Sequence, residues 1–246
     1  MDVLDGKIAI VTGTSRGVGV GIAHELLRAG ATVIGCSRSP LGTIPGIDAD
    51  WAARASQKVC DQGDYRSIDS FVADVVATHG RIDILVNNAG VYIPKPLAEA
   101  TEADYDKTFD VNVKSLFLVT KQALERLADG GRIINIGSIV GERVPFPGAS
   151  VYAASKFAVA GFTRAWSREL APRQITVNNV QPGPIDTDMN PADADKNPAA
   201  DFMRNIIPLG RYGTADEVAA LVAFLASPQA AFITGASVTI DGGIIA

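Results

Sequence analysis

Seven short runs of apolar and β-branched residues punctuate the chain: Lys7 to Thr12, Thr32 to Ser37, Ser56 to Cys60, Ile82 to Asn87, Arg132 to Gly137, Ile175 to Gln181 and Ser237 to Ile240. Their shortness and richness in Val, Ile and Thr predict strands. Between most of them lie helix-length amphipathic segments, roughly Val18–Ala29, Ser67–Thr78, Glu102–Ala128, Ala149–Ala171 and Ala215–Ala226. Strand and helix in alternation give the rhythm of a parallel sheet covered on both faces, so the pattern predicts an α/β, doubly wound fold of seven parallel strands. Two stretches break the rhythm. Pro40, Gly42, Pro45 and Gly46 disfavour a full helix over Ser39–Ala55 and predict a loop or one short turn. The segment Pro182 to Gly213 is long, rich in Pro, Asp and Asn, and carries a short helix around Ala199–Ile207. Irregular segments of that length are usually lids or disordered, and a substrate lid over 182–213 is expected. No linker-like stretch divides the 246 residues, so 1–246 is read as one domain.

Composition narrows the choice of function. With 47% hydrophobic and 20% charged residues the chain fills a core rather than staying disordered. A formal net charge of −5 leaves no basic face for a phosphodiester backbone, so nucleic acid is not an expected partner. The start, Met1-Asp2-Val3-Leu4-Asp5-Gly6, lacks a basic segment followed by an apolar one, and no apolar run is long enough to span a bilayer; a soluble cytoplasmic protein is expected. Cys36 and Cys60 fall in neighbouring predicted strands and are read as reduced core thiols. His24 and His79 stand alone without metal-ligand spacing, and no metal site is expected.

In a doubly wound sheet the ligand crevice lies beyond the carboxyl ends of the strands. The first strand runs into Thr12-Gly13-Thr14-Ser15-Arg16-Gly17-Val18-Gly19 and then a helix. Glycines there permit a tight turn and close approach of backbone to a pyrophosphate, while the first helical N–H groups favour the anion. Gly13, Ser15, Arg16, Gly17, Val18 and Gly19 are therefore candidate nucleotide contacts. At the end of the second strand stand Ser37 and Arg38, where a site preferring NAD would offer a carboxylate to the ribose. Arg16 and Arg38 suit a 2′-phosphate, so NADP(H) is the expected cofactor; if both are ordinary solvated charges, NAD(H) serves as well.

Tyr152 and Lys156 lie one helical turn apart, on the same face. An adjacent ammonium favours a phenolate, so the pair is poised for proton transfer with the Tyr152 pKa lowered by Lys156. A chance pair on a solvated helix is the competing reading of these two residues alone.

Together these residues resemble the classical short-chain dehydrogenase/reductase family over essentially the entire chain. The resemblance is carried by Thr12–Gly19, by Asn87-Asn88-Ala89-Gly90, by Tyr152–Lys156 and by Pro182-Gly183-Pro184-Ile185-Asp186-Thr187, in that order. It implies a Rossmann fold, an oxidoreductase interconverting a ketone and a secondary alcohol, and further site residues. Asp61, with Gln62 beside it, would face the adenine; Asn88, Ala89 and Gly90 would line the ribose; Pro182, Gly183, Ile185 and Thr187 would form the nicotinamide side. Ser138 would orient the substrate oxygen, and Asn112 would help hold a water linking Lys156 to solvent. Without the resemblance, Ser138 could simply end a strand and Asn112 could cap or kink its helix. A homotetramer is also implied.

Departures from the family pattern are the weakened helix at Ser39–Ala55, a tight turn Ala128-Asp129-Gly130-Gly131 before the fifth strand, and a loop between Ser138 and Tyr152 about one residue longer than usual. Tyr92, Ile139, Val140, Val144 and Phe146 predict an apolar pocket for a small-molecule ketone of modest polarity. The close alternative is reduction of 3-oxoacyl groups on an acyl carrier protein, which needs a basic patch; Arg173 is the residue placed for it, among the mixed charges of Leu124–Asp129. A nucleotide-binding regulator on the same fold is the reading from a different class.

Overall fold

The computed structural model describes residues 3–246; Met1 and Asp2, at the head of the segment read for an export signal, lie outside the described residues. Seven parallel strands form one sheet in the order β3-β2-β1-β4-β5-β6-β7: β1 Ile8–Thr12, β2 Thr32–Ser37, β3 Ala55–Val59, β4 Ile82–Asn87, β5 Leu127–Ile136, β6 Thr176–Pro182 and β7 Ser237–Ile240. Each of the central strands is buried on both faces, so alternate residues feed two separate cores. In β1, Ala9 and Val11 join helices α1 (Gly17–Arg28) and α7 (Ala215–Ala226) through Ile22, Leu26, Val218 and Val222. Ile10 turns the other way, toward Phe71 and Val75 of α2 (Tyr65–His79) and Val119 of α4 (Ser115–Leu124). The sheet order reverses between β1 and β4, which opens the crevice in which the site lies.

Local sequence explains where the helices begin. The Asp64 carboxylate accepts from the Arg66 N–H ahead of α2, and Thr101 with Asp104, like Thr214 with Glu217, forms a reciprocal capping box at the starts of α3 (Glu102–Phe109) and α7. The Ser39–Ala55 stretch is a loop closed by one 3-10 turn, Ala49–Arg54, as its prolines and glycines require.

Most boundaries shift by a residue or two, and two elements differ more from the sequence expectation. The predicted single helix Glu102–Ala128 is α3 and α4 joined by a π-turn, Asp110–Lys114, and it ends at Leu124. The widened turn lets the Asn112 side chain reach the loop after β4 and helix α5 (Ser150–Glu169) together. The fifth strand starts at Leu127, not Arg132, because Leu127 pairs with Ile82 ahead of the expected turn. Ala128–Gly131 is then accommodated as an irregularity within the strand, with Gly130 at φ +74°.

Candidate active site

A cleft of about 410 Å³ lies over the carboxyl ends of the strands. Every residue named above as a dinucleotide contact, from Gly13 to Thr187, lines it, as do Ser138, Tyr152 and Lys156.

At one end the chain leaves β1 through the glycine turn. Gly17 has φ +60°, and a Cβ on Gly19 would lie 2.1 Å from the Gly13 carbonyl oxygen, so neither position accepts a side chain without moving the turn. Helix α1 starts with no side-chain cap and no acidic residue in its first turn, leaving its leading N–H groups for an anionic ligand. The turn is braced from β4. The Asn88 amide donates to the carbonyls of Thr12 (2.8 Å) and Gly13 (3.1 Å), and the Thr12 hydroxyl accepts from the N–H groups of Asn88 and Ala89 at 3.0 Å each. Asn88 thus engages the turn with its side chain. Ser37 also has its hydroxyl engaged, donating to the Ser39 carbonyl at 2.7 Å and accepting from Gln57 at 2.9 Å. Arg16 and Arg38 are exposed, line the same cleft and form no ion pair among the described residues, which leaves both guanidinium groups available to an anion. Asp61 accepts from the Gly63 N–H at 2.9 Å, and the Gln62 amide donates to the sulfurs of both Cys60 and Cys36, which are free, buried thiols. An uncapped helix, a glycine cradle and two unpaired arginines fit a dinucleotide phosphate.

At the other end, α5 presents Tyr152 and Lys156. The Lys156 ammonium is 5% exposed, donates to the Ile136 carbonyl at 2.8 Å, and lies 5.5 Å from the centroid of the Tyr152 ring. Burial pushes the Tyr152 phenol up to about 12, and the neighbouring Ser138 hydroxyl acts in the opposite direction. The expected lowering by Lys156 is therefore corrected: the ammonium is directed to a backbone carbonyl, and the low-polarity surroundings disfavour charge on both groups. The same burial brings Lys156 down to about 8.

Asn112 stands apart from the cleft lining. Its carbonyl oxygen accepts from the Val91 N–H at 2.8 Å, and its amide donates to the Val91 carbonyl at 3.0 Å and to the Ser155 hydroxyl at 3.1 Å. The side chain ties the loop after β4 to α5. Ser155, missed in the sequence, completes the tie by donating to the Tyr152 carbonyl at 2.6 Å. Its place immediately before Lys156 and three residues after Tyr152 was the available signal.

Around the substrate end, Tyr92, Ile139, Val140 and Phe146 line the cleft as expected, whereas Val144 is 46% exposed and takes no part. The sequence reading missed Lys107, Met189 and Met203, which also line it; they come from α3 and from the irregular 182–213 segment and carry no motif. That segment contains helix α6 (Ala200–Ile206) and is pinned at its base, where Gly213 donates to Pro184 and accepts from Asp186. Arg173 is already engaged by neighbouring groups. Its guanidinium donates to the Asp129 carboxylate at 2.8 Å and to the carbonyls of Leu124 and Leu127.

Comparison with known proteins points the same way. A family model described as enoyl-(acyl carrier protein) reductase matches residues 13–245. The cyclic-di-GMP-binding biofilm dispersal mediator protein of Escherichia coli K12 is 39% identical over 98% of both chains. The 3-oxoacyl-(acyl-carrier-protein) reductase of Vibrio cholerae is 40% identical over 98% of both. A solved short-chain dehydrogenase from Burkholderia cenocepacia, in complex with NADP, is 41% identical over 99% of both chains and superposes with a TM-score of 0.90. With the glycine turn, the Tyr152–Lys156 helix and the sheet order all in place, the chain belongs to the short-chain dehydrogenase/reductase family.

Proposed function

We propose that the protein is an NADPH-dependent oxidoreductase that interconverts a ketone and a secondary alcohol. What carries the reading is one arrangement: the half-buried phenol of Tyr152 and the Ser138 hydroxyl line the same cleft as the glycine turn and Lys156. The exposed Arg16 and Arg38 support NADP(H) over NAD(H), as does the NADP in the Burkholderia relative. Gly13 to Gly19, Ser37, Asp61, Gln62, Asn88 to Gly90, and Pro182, Gly183, Ile185 and Thr187 would hold the dinucleotide. When bound, the reduced cofactor supplies a hydride to the carbonyl carbon.

Tyr152 donates its proton to the carbonyl oxygen as negative charge develops there, and a phenol kept protonated by burial is a proton donor throughout neutral pH. Ser138 holds that oxygen by a second hydrogen bond. Lys156, one turn along, positions the ribose, while Asn112 and Ser155 keep the loop after β4 in register with α5. Residues 182–213 close over the substrate as a lid, excluding water from the transfer. In alcohol oxidation the same phenol oxygen accepts the proton.

Tyr152→Phe removes the acid while keeping the ring. NADPH oxidation with a ketone panel should fall by at least about 10²-fold, with NADPH affinity, read by fluorescence titration, nearly unchanged. Substantial residual turnover would refute the assignment. The engagement of Arg173 weighs against a reductase acting on carrier-bound 3-oxoacyl groups. A regulatory reading is favoured by the Escherichia coli relative; tight binding of a cyclic dinucleotide without turnover on any ketone would favour it.

A further inference from the structure

Tyr92 leaves the loop after β4 two residues beyond Gly90, and the chemistry described so far does not use it. Its ring meets that of Tyr152 edge-on, with centroids 4.9 Å apart and planes inclined by 66°. Both rings line the cleft. The backbone beside it is held in place, because both polar groups of Val91 are bonded to the Asn112 side chain. The Tyr152 ring thus has Lys156 on one side and Tyr92 at its edge. Edge-to-face pairs are attractive and orientation-dependent, so this contact restrains the ring more specifically than aliphatic packing would.

We propose that Tyr92 is a positioning residue, which keeps the Tyr152 phenol aligned with Ser138 and in its proton-donating form. The inference rests on the ketone-reductase reading above. Two adjoining phenols resist ionising together, as like charges do. Tyr92 is itself raised by burial, and its proximity adds to the raised value of Tyr152. Lys156 on α5 lies against the Tyr152 ring, and Lys107 on α3 and Asp188 in the 182–213 segment line the same cleft, as do Arg16, Arg38, Cys36, Cys60 and Asp61 toward its glycine-turn end.

The test compares the wild type with Tyr92→Phe, Tyr92→Leu and Tyr152→Phe, measuring kcat for ketone reduction at saturating NADPH from neutral to strongly alkaline pH. Tyr92→Phe keeps the edge contact and loses the hydroxyl, so the alkaline limb of its kcat profile should move to lower pH. Tyr92→Leu loses the ring contact, and its kcat should fall about fivefold or more with the NADPH dissociation constant unchanged. An unmoved limb in the first together with an undiminished kcat in the second overturns the inference while Tyr152→Phe stays inactive. Activity retained in Tyr152→Phe overturns the functional reading and this inference with it. If the leucine variant does not fold, the limb of the phenylalanine variant decides alone.

Discussion

At the residue scale, Lys156 shows how burial reshapes a pair whose spacing was plain in the sequence. Its pKa of about 8 lies below the ordinary lysine value of 10.5, so the folded protein binds fewer protons than the unfolded chain between those two values. Stability contributed through this group is fully present above the upper value and is lost as pH falls through about 8. Relative to Lys156→Met, the wild type should therefore gain in Tm as pH rises from neutrality to about 10. Thermal unfolding followed by circular dichroism checks this, and a Tm difference independent of pH contradicts it. Tyr152 runs the opposite way: with its pKa raised to about 12, its contribution is present below the ordinary value of 10 and is lost as pH rises above it. The spacing of Tyr152 and Lys156 follows from helical geometry and was legible in the sequence. The direction of their perturbation was not, because it depends on how deeply α5 is buried and on the Ile136 carbonyl that takes up the ammonium.

At the element scale, the C-terminal segment after β7 acts as a clasp. Ile244 packs both on Ile139 and Val140 of the active-site wall and on Ile207 and Tyr212 beside α6. Asp241 accepts from the N–H groups of Gly243 and Ile245, and Leu209 donates to the Gly242 carbonyl, so the clasp has a defined shape. Removing Ile244–Ala246 should raise KM for the ketone while leaving NADPH affinity alone. It should also cost about 1–3 kcal/mol of apolar burial, or roughly 2–4 °C of Tm per kcal/mol in a chain of this size. Steady-state kinetics and thermal unfolding read the two effects, and an unchanged KM would remove the clasp from the substrate site. The apolar residues of this tail were visible in the sequence, but they fitted a sheet edge or a subunit contact equally well. Likewise, the π-turn around Asn112 has no periodicity signal of its own; it exists because one side chain bridges two elements.

At the scale of the whole molecule, α4 and α5 present an aromatic face on which Phe117 and Phe157 are 40% and 49% exposed, with Phe162 stacked between Phe117 and Trp166. Phe224 on α7 and the fully exposed Phe232 are further apolar side chains open to solvent. Exposed apolar faces of this kind are covered in symmetric oligomers. A homotetramer should appear in light scattering as about four times the 25.7 kDa chain mass, and a monomeric mass at micromolar concentration would sink it. The fold itself was legible in the chain, because strand and helix alternation is a local pattern that calls for a covered parallel sheet, and the glycine turn after the first strand fits its doubly wound form. The glycine turn and the Tyr152–Lys156 spacing were legible too, since one sits directly after a strand and the other in a helix, whereas Ser138 was singled out only by the family resemblance. Tertiary structure alone decided which polar groups were left free: Arg16 and Arg38 remain open while Arg173 is engaged. It also decided the protonation of Tyr152 and its contact with Tyr92. Free donors, burial and ring contacts arise between residues far apart in sequence, and no local pattern encodes them.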